Sequence, residues 1–287
     1  MLKVIVQHAA QLISFLTGLK LALYQSQIRH LTHLVDALLV CPNEKTLTNL
    51  YRQIASDPDP KSAADFFRES TWAVAAVSSP RKQFMVLTLL AAAKALHLNV
   101  PLLIGIDDSL GEKGKATRHL EAVDFHHNHS AGSSKKPKYA NGFVYVEVHL
   151  QLGAIGCTFD LRIYLREKTV RRLNRQRDAA HRLHYRSKYA LAHAMLTELL
   201  ALLPKGYPVY VLFDSWYASA KLIKFCRRQG WHVICALKSN RRVDKKRIDQ
   251  HDLALKHKHY QRITLDAVDP HRPAPRYYVR SVQGRLE

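Results

Sequence analysis

An α/β chain is predicted here: a helical N-terminal module, then a mixed sheet flanked by helices. Three observations carry this expectation. Apolar residues recur at helical spacing as far as Leu98. After Asn99-Val100-Pro101 they fall instead into short continuous or strictly alternating runs. From 102 to 237 those runs read strand, strand, strand, helix, strand, helix, strand, a hairpin meander followed by βαβα. The expected division is therefore 1–98 and 99–287.

The elements follow in order. Leu12, Phe15, Leu16, Leu19 and Leu23 share one helical face, as do Ile28, Leu31, Leu34 and Val35. Asp57-Pro58-Asp59-Pro60 breaks the pattern, and Ser62 reads as the N-cap of a helix through Phe66 and Phe67. Ser78-Ser79-Pro80 opens a further helix over 84–97. Leu102 to Ile106 is a strand apolar on both faces, ending in Asp107-Asp108-Ser109. Residues 110–141 are polar and glycine-containing and read mostly as loop. Phe143 to Leu150 alternates strictly, and so do Cys157 to Leu165, with Gly153 and Gly156 between them, which predicts a hairpin.

An arginine-rich stretch, 166–186, leads to Ser187, the expected cap of a helix whose Leu191, Met195, Leu199 and Leu202 form one stripe. Val209 to Phe213 is a continuous apolar run, hence a central strand, and it too ends in an aspartate, Asp214. Ala218 to Gln229 is an amphipathic helix closed by Gly230, with Lys221, Lys224 and Arg228 outward. Val233 to Leu237 is one more strand, followed by the basic run Lys238 to Arg247. Tyr277, Tyr278 and Val279 begin a last pair of strands.

Charge narrows the function. The 287 residues hold 44 Lys+Arg against 23 Asp+Glu, a net +21. Residues 1–160 contribute +3 of it and 161–287 contribute +18. Such a self-repelling chain favours a polyanionic partner, nucleic acid ahead of an anionic membrane surface. Cys41, Cys157, Cys226 and Cys235 form no CxxC pair, which disfavours zinc ribbons and disulfide scaffolds and fits a reducing cytoplasm. The apolar N-terminus is interrupted by Gln7, His8, Gln11 and Lys20, and the longest apolar stretch, 84–96, is too short to span a bilayer. No membrane association is expected. No phosphate loop of the Walker or Rossmann type appears, and no nucleophilic triad.

Two strands that each end in an aspartate are the chemical signal. In open α/β sheets functional groups collect beyond the carboxyl ends of strands. If the strands of Asp108 and Asp214 are neighbours, their carboxylates converge. Hard cations such as Mg²⁺ take one or two carboxylates and complete their shell with water and phosphate. A pair of them about 3.5–4 Å apart would activate an attacking hydroxyl and stabilise the leaving oxygen of a phosphodiester. An aspartate past a strand is often only a turn former or N-cap; two of them in a chain of this charge favour the functional reading. The pattern leaves Asp107 open beside Asp108, and since successive strand residues face opposite ways, only one is a direct ligand.

Leu103-Ile-Gly-Ile-Asp-Asp-Ser109, with Glu112-Lys113-Gly114-Lys115, resembles the first-acid block of insertion-sequence transposases carrying a DDE domain on a ribonuclease-H-like fold. Val209-Tyr-Val-Leu-Phe-Asp-Ser-Trp-Tyr-Ala-Ser219 resembles their second-acid block, and His232 to Arg241 the strand after it. The resemblance runs from about residue 45 onward. It implies Mg²⁺- or Mn²⁺-dependent cleavage and strand transfer at transposon ends, with Asp108 and Asp214 as catalytic metal ligands. It implies double-stranded DNA, both transposon ends and target, as partner, and a homo-oligomer on that DNA, nucleoid-associated in the cytoplasm. The helices of 1–98 would help recognise the ends. The family's third acid lies in a Tyr-x2-Arg-x3-Glu pattern; Tyr277 and Arg280 keep the spacing, but Gly284 stands where Glu is expected and Glu287 is the one later glutamate. The expectation is a truncated copy, and the alternative a catalytically silent DNA-binding fragment.

Lys113 and Lys115, with Lys135, Lys136 and Lys138, flank the acids and are candidates for phosphate. Arg171, Arg172, Arg175 and Arg177 in the arginine-dense segment, and Lys221, Arg241 and Arg242 further on, are candidates for DNA contact. Trp216 and Tyr217 either stack on a base or pack the following helix on the sheet. Asp124, His126, His127 and His129 are a weak transition-metal candidate, because neighbouring residues in a polar segment seldom ligate from one face.

Overall fold

The computed structural model describes residues 5–55, 60–71, 73–117, 119–133, 136–253, 260–265, 274–281 and 283–286. Two compact units are present. One comprises Met1–Asn99, Leu152–Asp160 and Leu199–Pro204; the other comprises Val100–Gln151, Leu161–Glu198 and Lys205–Glu287.

The first unit is built on α1 (Ala10–Gly18), α2 (Gln25–Val40), α3 (Leu47–Tyr51), α4 (Pro60–Glu69) and α5 (Val74–Ala95). Leu12, Leu16 and Leu19 of the predicted first stripe are buried and pack with Phe15, Leu31, Val35 and Phe84. A second cluster joins Ala37, Cys41, Leu50, Tyr51, Ile54 and Ala63.

Two helix starts differ from the expectation. The α4 helix begins at Pro60 rather than after Ser62, since proline's missing N–H costs nothing at a first helical position. The α5 helix begins at Val74 and contains Pro80. Only the first four N–H groups of a helix lack partners, so Pro80 forgoes one internal bond and the remaining turns compensate. The break at Asp57-Pro58-Asp59 lies outside the described residues.

A mixed sheet is formed by β1 (Leu102–Glu112), β2 (Asp124–Ser133), β3 (Lys136–Leu152), β4 (Ile155–Tyr164), β5 (Val209–Phe213) and β6 (His232–Cys235), whose residues fall in the second unit except Leu152 and Ile155–Asp160, which fall in the first. Its order is β2-β3-β1-β5-β6, with β4 also pairing β3. The β1–β3 pair is antiparallel, and β1–β5 and β5–β6 are parallel. Between the strands lie α6 (Glu167–Asn174), α7 (Lys188–Leu200) and α8 (Ala220–Arg228). Ser187 caps α7 as the sequence indicates, and Ser219 caps α8, which therefore starts at Ala220 rather than at the expected Ala218; each Oγ accepts a backbone N–H at 3.2 Å. Gly230, at φ 75°, closes α8.

One face of the sheet is the core. Ile104, Ile106, Val146, Val148, Val209, Val211 and Phe213 are buried there, and Leu191, Met195 and Leu196 of α7 are buried with Leu222 and Cys226 of α8. The opposite face, with Leu103, Gly105, Tyr210 and Leu212, is only half-buried.

The main correction concerns 110–141. This polar segment is largely strand: β1 runs on to Glu112, and β2 pairs the start of β3, from Asp124↔Gly142 to Asn128↔Lys138. A ladder satisfies backbone groups whatever the side chains are, so an edge strand such as β2 carries no apolar alternation. Close backbone approach also explains Gly142. A Cβ there would collide with the carbonyl oxygen of Gly111 and lie 3.1 Å from the Glu112 Cα. Gly142→Ala is expected to destabilise the protein by about 1–3 kcal/mol, read as a lowered thermal midpoint; an unchanged midpoint would refute the packing argument.

The remaining strands are β7 (Arg242–Val243) and β8 (Lys246–Arg247), preceding α9 (Ile248–Leu253), and the antiparallel pair β9 (Gln261–Thr264) and β10 (Arg276–Val279). The last pair contains the anticipated Tyr277, Tyr278 and Val279. Among the described residues no helix is long and apolar enough to cross a membrane.

Candidate active site

Asp107, Asp108 and Asp214 meet where β5 ends. In the parallel register Ile106 pairs with Phe213, so Asp107 and Asp108 lie one and two residues beyond that pair and Asp214 one beyond. The apolar run alone would end the strand before Asp108. Instead β1 continues through both aspartates on its β3 side, because the antiparallel ladder outlasts the parallel one: Asp107↔Glu147 and Asp108↔Val146 are paired.

The pleat sends the two β1 aspartates to opposite faces. On the core side, Asp108 Oδ1 accepts a hydrogen bond from the Tyr217 hydroxyl at 2.9 Å, and Oδ2 accepts one from Lys188 Nζ at 2.6 Å. On the other side, Asp107 shares a concavity of about 530 Å³ with Glu147, His149 and Asp214. Asp214 is exposed, and its Oδ1 accepts the backbone N–H of Trp216 at 2.9 Å and of Tyr217 at 3.3 Å. Tyr217 thus joins the two predicted acids, its amide on Asp214 and its hydroxyl on Asp108. It is fully buried; burial first, then the Asp108 charge, pushes its hydroxyl far above the usual tyrosine range.

A second concavity, about 810 Å³, lies on the Asp108 side and is lined by Glu112, His126, Asn128, Tyr164, Arg166, Lys188 and Trp216. His126 is buried, and its Nε2 has no hydrogen-bond partner among the described residues; burial lowers its pKa, Asp124 opposes the shift, and Arg166 and Lys188 reinforce it. Burial, with Tyr185 beside it, pushes Tyr164 up to about 12. Trp216 is 45% exposed, with Lys188 Nζ 5.7 Å and Lys238 Nζ 5.2 Å from its ring centre. The two aromatics after Asp214 therefore divide the two expected roles: Tyr217 packs and Trp216 faces outward.

The donor chemistry fits a divalent cation. Both predicted acids offer carboxylate oxygens, and Asp108 Oδ2 already receives a cation in the ammonium of Lys188. Among the described residues no group of three His, Cys, Asp or Glu side chains converges as a metal cluster. A hard cation such as Mg²⁺ can be held by one or two carboxylates while water and phosphate complete its shell.

The other predicted residues are dispersed. Lys113 and Lys115 are exposed just beyond β1, and Lys113 Nζ lies 5.6 Å from the Phe143 ring centre. Arg171 pairs with Glu167 at 2.6 Å, and Arg177 contacts both Glu121 oxygens at 2.7 and 2.9 Å. Those two are engaged within the chain, whereas Arg172 and Arg175 are exposed. Lys221 lies on the outer face of α8; Arg241 donates to the Ala218 carbonyl, and Arg241 and Arg242 line a basic concavity with Lys238 and Asn240. Asp124 is drawn away from metal chemistry by Thr169 at 2.9 Å and Lys168 at 3.6 Å. His126 and His127 alternate along β2 toward opposite faces, and the side chains of His129 and Lys135 lie outside the described residues.

Lys188 and Tyr164 were not singled out from sequence, whereas Arg166 belongs to the arginine-rich stretch. One signal was available for Lys188: a lysine in the first turn of a helix opposes the macrodipole, so it calls for an anionic partner elsewhere.

A family profile described as DDE superfamily endonuclease matches residues 15–275. No curated protein matches. Among solved structures the chain is similar to the cryo-EM structure of a piggyBac transposase synaptic complex with hairpin DNA, at 14% identity and a TM-score of 0.41. The match covers 94% of this chain and 58% of that one, so the chain spans well under two thirds of that relative.

Proposed function

The chain belongs to the DDE superfamily endonucleases, and on that premise we propose that it is a DNA transposase, cutting transposon ends and transferring the freed 3′-hydroxyl to target DNA. The observation that supports this reading is that Asp108 and Asp214 stand at the ends of adjacent parallel strands and both accept hydrogen bonds from Tyr217, Asp108 from its hydroxyl and Asp214 from its amide. In this proposal both carboxylates hold divalent cations, Mg²⁺ or Mn²⁺. Bound there, these would polarise the phosphodiester and stabilise the attacking and leaving oxygens.

The chain's own groups do the rest. Tyr217 fixes the Asp108 carboxylate, and Lys188 and Arg166 present positive charge along the neighbouring concavity, where the strand next to the cut would lie. Arg172, Arg175, Lys221, Arg241 and Arg242, with Lys113 and Lys115, bind the DNA backbone. The helices of 1–98 contribute to recognition of the ends, 99–287 forms the catalytic domain, and the protein works as a homo-oligomer on DNA.

A second reading, a DNA-binding protein without chemistry, follows from the resemblance, which expects the third acid where Gly284 stands. Strand cleavage in Mg²⁺ or Mn²⁺, beside an Asp108→Ala, Asp214→Ala double mutant, separates the two. Transposition predicts cleavage that the double mutant lacks; binding without cleavage by either protein would establish the second reading.

DNA contact by the arginine segment is tested independently. Arg172→Ala with Arg175→Ala is expected to weaken binding to all DNA sequences alike. The log–log salt dependence should flatten by about 0.9 for each phosphate that is no longer neutralised. An unaltered slope would remove this segment from the DNA surface.

A further inference from the structure

Asp108 is engaged at both carboxylate oxygens, by a buried tyrosine on one and a lysine on the other. The two ligating groups are not equivalent. Tyr217 is fully buried and anchored through its amide on Asp214. Lys188 reaches Asp108 on a flexible stem, with side chains 20% and 22% exposed. A hard cation bound through Oδ2 would meet this ammonium, and two cations do not share one oxygen without strong repulsion.

Lys188 also has a second place to go. Its Nζ lies 5.5 Å from the Tyr164 ring centre and 5.7 Å from that of Trp216, and aromatic faces attract an ammonium within about 6 Å. A short swing onto those rings would free Oδ2 without exposing the charge to an apolar wall.

Resting on the function proposed above, we propose that Lys188 is a positioning residue that holds the Asp108 carboxylate until a divalent cation displaces it onto the Tyr164 and Trp216 rings. Tyr217 keeps the carboxylate in place during the exchange, because its bond is to the other oxygen. The consequence runs against the usual effect of deleting an interaction within a site: removing Lys188 tightens metal binding, since the cation no longer competes with an ammonium.

The test is Mn²⁺ binding to the full chain, read from the electron paramagnetic resonance signal of free Mn²⁺. Lys188→Met is expected to bind Mn²⁺ at least about tenfold more tightly than the native chain. Lys238→Met, which removes a lysine beside the same indole, should stay within about twofold, as expected for a screened exposed charge. Circular dichroism establishes folding, and Lys188→Gln, which retains a neutral donor, should show the same sign if the methionine variant fails to fold. Equal or weaker Mn²⁺ binding by the Lys188 variants overturns the proposal, as does equal tightening in Lys238→Met or no Mn²⁺ binding by any of the proteins. Cleavage by the native chain is read separately. Cleavage with no gain in the Lys188 variants overturns the lysine's role alone, whereas a gain without cleavage supports it and overturns the transposase reading.

Discussion

Asparagine in place of Asp108 is expected to lower divalent-dependent DNA cleavage by at least about a hundredfold, the scale of losing one charge-stabilising group in a preorganised site, with DNA affinity kept within a few fold. Asparagine preserves the oxygen that accepts from Tyr217 and removes the charge together with the Oδ2 acceptor of Lys188, so the loss does not come from collapse of the Tyr217 hydrogen bond. Asp214→Asn should behave alike, since its Oδ1 can still accept the amides of Trp216 and Tyr217. The decisive comparison is Asp107→Asn. Asp107 faces the other concavity, with Glu147 and Asp214, and its replacement should leave most of the cleavage intact. A large loss in Asp107→Asn with a small one in Asp108→Asn would move the site to that face of the sheet.

The second large effect concerns stability of the helical unit. Lys82 Nζ lies 3.4 Å from Asp160 Oδ2, with side chains only 10% and 7% exposed, and Lys82 also sits 5.9 Å from the Phe159 ring centre. The adjacent Arg81 donates to the carbonyls of Thr158 and Phe159 at 3.2 and 2.6 Å. Deleting one partner of a buried ion pair removes the charge that offsets the other's desolvation, and this costs more than the net worth of the pair. Lys82→Ala is therefore expected to cost about 3–5 kcal/mol in chemical denaturation. Replacing both partners, Lys82→Met with Asp160→Leu, should cost much less. If the double replacement is as damaging as the single one, packing rather than charge accounts for the loss.

Several elements could be read before any coordinates. The buried stripe of Leu191 and Met195, the continuous run Val209–Phe213 and the cap Ser187 rest on local periodicity and local hydrogen bonding, and all three appear in the fold. The β2 strand could not be read this way. Its residues Asp124, His126 and Asn128 are polar, and the ladder to β3 that makes them a strand lies in the pairing, not in the pattern. The extension of β1 past Asp108 has the same origin.

Composition, charge and the apolar pattern determined, without coordinates, a basic mixed α/β chain with two strands that end in aspartate, and the resemblance alone selected Asp108 over Asp107. Tertiary structure alone decided which face each aspartate takes, that Tyr217 joins Asp108 to Asp214 across 109 positions of chain in one of its bonds, and that Lys188, 80 positions away, caps the same carboxylate. The physical reason is range. Helical period, strand alternation and capping act over a few residues and are written along the chain, whereas an ion pair between β1 and the start of α7 exists only after the sheet has paired and the helix has packed across it.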